Sequence, residues 1–194
     1  NWIADVMRNT AGADVAIFNG GTIRTSIKRG EVKVSDVYAA VPFDNYIVAI
    51  RLSGEQIRET LEHAVSGIED EEGRFPQISG LSFTFDRLAP TGSRVKTVQI
   101  DGKPLVAQNE YTVATIDFLA AGGDGYQAFG EALKSSEDYE LVGGAMKGEK
   151  LVYSDPGHWL RDVMVDAFRK QKEVVMKVEG RIREIGLSTE AGSP

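Results

Sequence analysis

Residues 118–126, Phe118-Leu119-Ala120-Ala121-Gly122-Gly123-Asp124-Gly125-Tyr126, decide how the chain is read. The apolar run Tyr111 to Phe118 reads as a strand that feeds this loop, and Gln127 to Leu133 reads as a helix that leaves it. Three glycines around one aspartate permit backbone with positive φ, so a carboxylate can be held on a tight loop. Phe118 sets an aromatic ring at the loop's entrance. A flat apolar ring beside a positioned carboxylate suits a ligand with a ring and hydroxyl groups, such as a nucleoside. Taken alone, the pattern is equally a strand-to-helix turn with a solvated aspartate.

Upstream, residues 2–9 read as a short helix with Ile3, Val6 and Met7 on one face. Asp14 to Phe18 is a short strand that ends in Asn19-Gly20-Gly21-Thr22-Ile23-Arg24. Its two glycines let the chain turn sharply and leave Asn19 and Arg24 on a loop. Asparagine can read a donor–acceptor edge and arginine can grip a phosphate through two parallel hydrogen bonds, although an Asx-type turn with a surface arginine has the same sequence. Val34 to about Ala40 is a helix with Ser35 as its cap. Pro42-Phe43-Asp44-Asn45 breaks it, and residues 46–52 alternate as a strand with Tyr46, Val48, Ile50 and Leu52 on one side. Ser53 and Gln56 make a capping box for the next helix, stapled by Leu52 and Ile57. His63 lies beside that helix's buried face and reads as structural or exposed.

Further on, Ile68 to Arg74 is an acidic loop without the alternating oxygen ligands of a calcium site. Phe75 to Gly80 leads into a strand over Leu81–Asp86, and Gly80 at its entry suggests a close approach of backbone to something. Asp101-Gly102 joins the two arms of a hairpin, Arg94 to Ile100 and Lys103 to Val106. Residues 135–150 read as a loop. Asp155-Pro156 reads as the start of the longest helix, with Leu160, Val163, Met164, Ala167 and Phe168 as its core stripe. Val174 to Ile185 reads as a last strand and residues 187–194 as a disordered tail. Strands and helices mix without a regular βαβ rhythm, which gives an α+β (mixed α/β) class with a layered mixed sheet.

The 194 residues carry a net charge of −7, no cysteine and only two histidines. Acidity argues against a nucleic-acid surface. Missing thiols and scarce imidazoles argue against disulfides and against a metal site within the chain. No apolar run reaches the length of a membrane helix. Asn1 opens directly into an amphipathic pattern, as in a piece of a longer chain.

Three stretches together carry a resemblance: Asn19 to Arg24, Val41-Pro42-Phe43 with Leu52-Ser53-Gly54, and Phe118 to Tyr126. They resemble the C-terminal domain of the 5′-nucleotidase family, which includes UDP-sugar hydrolases and cyclic-nucleotide phosphodiesterases. Ile3-Ala4-Asp5 and Glu179-Gly180-Arg181-Ile182 match as well, so the resemblance covers residues 1–186. It implies the nucleotide-binding half of a metal-dependent phosphoric ester hydrolase. Two divalent metal ions and the catalytic residues then belong to an N-terminal metallophosphoesterase domain upstream, and the chain by itself is inactive and without a cofactor. The resemblance also implies a periplasmic or extracellular location.

Carried over residue by residue, the resemblance makes Phe43 and Phe118 the rings that sandwich the base and Asp124 the acceptor for the ribose hydroxyls. It makes Arg24 the phosphate-side cation, Asn19 a polar contact and Gly80 a point where backbone lies against the base. A further arginine usual upstream of the first helix is missing, Thr22 stands where glycine or serine is frequent, and Ala121 where asparagine is. The substrate of the intact protein remains open between a nucleoside monophosphate, a UDP-sugar and a cyclic nucleotide. A non-catalytic nucleoside-binding module and a structural domain with an unused pocket are the competing readings.

Overall fold

The computed structural model describes residues 1–70, 72–143 and 145–186; the tail expected at 187–194 lies outside the described residues. Helix α1 (Trp2–Ala11) buries Ala4, Val6 and Met7 and stops at Gly12, which takes the left-handed conformation that glycine adopts at little cost. Strand β1 (Val15–Asn19) is buried throughout and runs into a single 3₁₀ turn at Gly20–Thr22. Helix α2 (Val34–Ala40) follows. Its first turn is closed by Asp36, whose carboxylate accepts the Lys33 backbone N–H at 2.8 Å, and not by Ser35. Strand β2 (Tyr46–Ser53) leads into helix α3 (Gly54–Ala64) through the expected capping box: Ser53 N–H donates to Gln56 Oε1 at 2.9 Å, and Gln56 N–H to Ser53 Oγ at 3.2 Å.

Next come strands β3 (Pro76–Ser79), β4 (Leu81–Phe85), β5 (Val95–Ile100), β6 (Lys103–Pro104) and β7 (Glu110–Ile116). Asp101 and Gly102, both with positive φ, make the tight turn between β5 and β6, the hairpin geometry that an Asp-Gly pair favours. Helices α4 (Asp117–Ala120) and α5 (Gln127–Lys134) flank a 3₁₀ turn at Gly123–Gly125. Phe118 therefore sits on a helical turn rather than at the end of the strand. The stretch read as a loop holds a small hairpin, β8 (Glu140–Val142) and β9 (Ala145–Lys147). Strand β10 (Leu151–Trp159), helix α6 (Leu160–Gln171) and strand β11 (Ile182–Glu184) complete the order.

Among the described residues, one sheet runs β10-β2-β7-β1-β3 and a second runs β11-β4-β5-β6. In the first, β1 pairs parallel with β7 while every other neighbour is antiparallel. The fold is α+β (mixed α/β) with mixed sheets. Because β2 lies between β10 and β7 with helices α1, α3, α4 and α5 against it, Tyr46, Ile47, Val48, Ala49 and Ile50 are all buried. Its apparent alternation does not mark one wet face.

Two further elements differ from expectation. Asp155-Pro156 does not open a helix: it lies in β10, where the register against β2 shifts between Ser154 and Trp159. Proline lacks a ladder donor and is tolerated on an edge strand at such an irregularity. Helix α6 starts four residues later, at Leu160. The last strand shrinks to three residues, parallel to β4.

Candidate functional site

A cleft of about 770 Å³ opens where the loops after β1 and β7 meet the loop before β2, within the volume range of small-molecule sites. Asn19, Arg24, Phe43, Phe118 and Asp124 all line it. Gly80 does not. It lines a second cleft with Asp5, Arg8 and Arg181, and its positive φ serves the link between β3 and β4. A β-carbon there would lie 2.3 Å from the Asp14 carbonyl oxygen and 2.5 Å from an Arg8 guanidinium nitrogen. The close approach expected at Gly80 is real, but it is made to the chain itself.

Asp124 is held through its backbone and through one carboxylate oxygen. Its backbone takes the left-handed conformation, φ 51° and ψ 21°, which aspartate tolerates better than most residues. The His63 ring sits 2.7 Å from the Asp124 carbonyl through Nε2. Asn19 Nδ2 donates to Asp124 Oδ2 at 2.5 Å, and Thr22 Oγ1 donates to Asn19 Oδ1 at 2.5 Å. These partners fix the orientation of the Asn19 amide, and they leave Asp124 Oδ1 without a hydrogen-bond partner among the described residues.

The loops bearing these groups are fastened to one another. Gly20 and Gly21 donate their backbone N–H groups to Phe75 and Gly73 carbonyls, each at 2.7 Å. A β-carbon on Gly21 would stand 3.2 Å from Gly73 Cα, so two glycines permit this backbone-on-backbone contact. Tyr126 donates its hydroxyl to the Arg74 carbonyl at 2.5 Å; burial pushes that hydroxyl's pKa far up, with the Asp124 charge adding to it, so it stays a neutral donor. Asp117 accepts from Asn45 Nδ2 at 2.9 Å and from the Tyr46 N–H at 3.2 Å. That pair ties the loop of Phe43 to the turn of Phe118. Burial raises the Asp117 carboxyl above its ordinary value although these hydrogen bonds pull it down.

Phe43 and Phe118 are each 44% exposed. The outer edge of the Phe118 ring lies 2.5 Å from where a β-carbon of residue 123 would stand, so Gly123 is the bed on which that ring rests. Arg24 is exposed; its backbone N–H donates to the Ala40 carbonyl at 2.8 Å, and among the described residues its guanidinium makes one hydrogen bond, to the Gly21 carbonyl at 3.4 Å. Arg74, also on the cleft, is paired with Glu72. Sequence reasoning missed Asn45, Gly73 and Thr22; His63, read as structural or exposed, does not line the cleft and supports it only through the Asp124 carbonyl. Asn45 lies two residues beyond the Val41-Pro42-Phe43 stretch and Gly73 directly follows an acidic run. Neither had a local signal that separates a site residue from a loop residue. Among the described residues no group of three or more His, Asp or Glu side chains is placed to hold a metal ion, and no helix is long and apolar enough to cross a membrane.

Comparison with known proteins places this geometry. The family profile described as "5′-nucleotidase, C-terminal domain" matches residues 1–131. The trifunctional nucleotide phosphoesterase protein YfkN of Bacillus subtilis is 37% identical over 199 residues, which covers 97% of this chain and 12% of YfkN. Protein UshA of Escherichia coli is 35% identical over 115 residues, 59% of this chain and 20% of UshA. Among solved structures, the 5′-nucleotidase precursor from Thermus thermophilus superposes with a TM-score of 0.80 at 33% identity, covering 96% of this chain and 35% of that one. The chain thus spans only a minor part of the length of each of these relatives. It belongs to the 5′-nucleotidase C-terminal domain family.

Proposed function

We propose that this chain is the substrate-binding domain of a 5′-nucleotidase-type phosphoric ester hydrolase, and that the cleft receives a nucleotide. One observation carries the reading: two half-exposed phenylalanines, Phe43 and Phe118, line the same cleft as a carboxylate with an unengaged oxygen. Exposed rings lose favourable burial unless something covers them, and a base is a flat partner worth roughly 1–3 kcal/mol per stacking contact. Asp124 Oδ1 accepts a ribose hydroxyl, with Asn19 holding the other oxygen. Arg24 pairs with the phosphate through its guanidinium. The glycine loop is a sugar wall and not a phosphate cradle, because its carboxylate repels that charge.

Hydrolysis would belong to a domain upstream, whose two divalent metal ions would supply Lewis-acid chemistry for a phosphoric ester. The residues of this chain bind and orient the ester, converting binding energy into alignment. The description of YfkN as a nucleotide phosphoesterase and of the Thermus thermophilus relative as a 5′-nucleotidase precursor supports this division, since both are far longer than the chain. An exported location is part of the same reading.

Calorimetric titration of the chain with adenosine and with AMP tests it. Phe118→Ala is expected to weaken both ligands by about 1–3 kcal/mol, whereas Arg24→Ala weakens AMP and spares adenosine. Binding that is undetectable at millimolar ligand, or unaffected by Phe118→Ala, excludes the assignment and leaves the structural-domain reading.

A further inference from the structure

We infer that Arg161, at the start of helix α6, is a positioning residue that holds the Phe43 ring against the cleft. The inference rests on the role given to Phe43 above. Phe43 lies inside the span matched by the family profile, whereas Arg161 lies beyond its end at residue 131. Arg161 is 6% exposed. Its guanidinium carbon stands 4.2 Å from the ring centroid of Trp159 and 4.9 Å from that of Tyr38, so the cation is stacked between aromatic groups of β10 and α2. From there Nη1 donates to the Pro42 carbonyl at 3.2 Å and Nη2 to the Asp44 carboxylate. The fork therefore grips the chain on both sides of Phe43. Tyr38 is itself fixed by its hydroxyl, which donates to Asp162 Oδ1 at 2.5 Å.

The arrangement is not the cheapest way to close this part of the fold. Arg161 Nε is buried and finds no acceptor among the described residues, and a buried cation costs more than an apolar side chain of similar volume. What only arginine supplies is a planar fork that meets two acceptors at a set separation while stacking on rings. Those two acceptors are the neighbours of the residue whose ring must stay half-exposed. A ring left in solvent on an unanchored loop would lose much of its stacking free energy to the ordering of that loop.

The test combines a motion measurement with a double-mutant cycle on this chain. Arg161→Gln is expected to lower the ¹⁵N order parameters of residues 43–45 from about 0.85 toward 0.6, with β2 unchanged. It is expected to weaken adenosine roughly three- to tenfold, and by less than about twofold once Phe43→Ala is present. Arg161→Lys, which keeps the charge but neither fork nor stack, is expected to recover only part of the loss. Unchanged order parameters at 43–45, a fall that extends through β2, equal losses in both backgrounds, or full recovery by lysine would each overturn the inference. If the order parameters fall as stated while Phe43→Ala leaves adenosine binding intact, the anchoring stands and the base-stacking reading of the cleft is what fails.

Discussion

At the scale of single residues, the site depends on how one carboxylate is aimed. Thr22, Asn19 and Asp124 form a line of two hydrogen bonds, with Thr22 and Asn19 buried. Thr22→Val keeps the shape of the side chain and removes the donor, leaving Asn19 Oδ1 unpaired. Chemical denaturation of that variant is expected to show a loss of about 1–3 kcal/mol, and its adenosine affinity should fall because Asn19 is free to turn. Wild-type stability and affinity would show that the line has no role. Gly123 makes a sharper case. Its φ is not in the left-handed region, so Gly123→Ala leaves the backbone unstrained and displaces only the Phe118 ring. We expect weaker nucleoside binding, by roughly 1 kcal/mol or more, with a melting temperature near that of the parent; a folded variant with intact affinity would separate Phe118 from binding. Asn19 and Asp124 were each legible as site candidates from their own motifs. Their contact was not, because it joins residues 105 positions apart, and spacing along a chain carries no information at that range.

Elements were legible where a local rule decides them. The Ser53/Gln56 box opens α3 as read, and Asp101-Gly102 turns the hairpin. Reading failed where tertiary pairing overrides the local signal: Asp155-Pro156 has the form of a helix start, yet pairing with β2 draws residues 151–159 into the sheet. Helix α1 and the approach to β11 are joined by Arg181, whose Nη1 and Nη2 donate to Asp5 at 2.7 and 2.8 Å. Burial pushes the Asp5 carboxyl up, but the hydrogen bonds from Arg181 and Ser79 outweigh it and hold the group below its ordinary value. A carboxyl with a lowered folded-state pKa contributes stability above its unfolded value, near pH 4, and loses it as pH falls through the folded value. Urea denaturation should therefore find Arg181→Gln less stable than the parent by about 1 kcal/mol at pH 7, a figure kept small because Asp5 is partly exposed and screened. The gap should narrow below pH 4, and a gap that stays constant with pH would contradict the pairing.

At the scale of the whole molecule, the described residues form clefts of different character, two of which concern the site residues. One gathers the loops after β1 and β7 and the loop before β2, with exposed rings on its walls; the other lies by α1 and the β3–β4 link, where Arg8, Asp5 and Arg181 meet Gly80. Acidity overall coexists with an exposed arginine at the first cleft, which suits a small anionic ligand better than a nucleic acid. The resemblance indicated five of the first cleft's residues and one of the second's. Gly80 lines the second cleft; a glycine at a strand entry signals a close approach and does not say to what. Chemical-shift mapping of a ¹⁵N-labelled chain during an adenosine titration tests the central claim most directly. The account predicts shifts confined to the amides near Asn19–Arg24, Phe43–Asn45, Gly73 and Phe118–Gly125, and none around Arg8 and Gly80. Shifts centred on Arg8, Gly80 and Arg181, or none at millimolar adenosine, would contradict it.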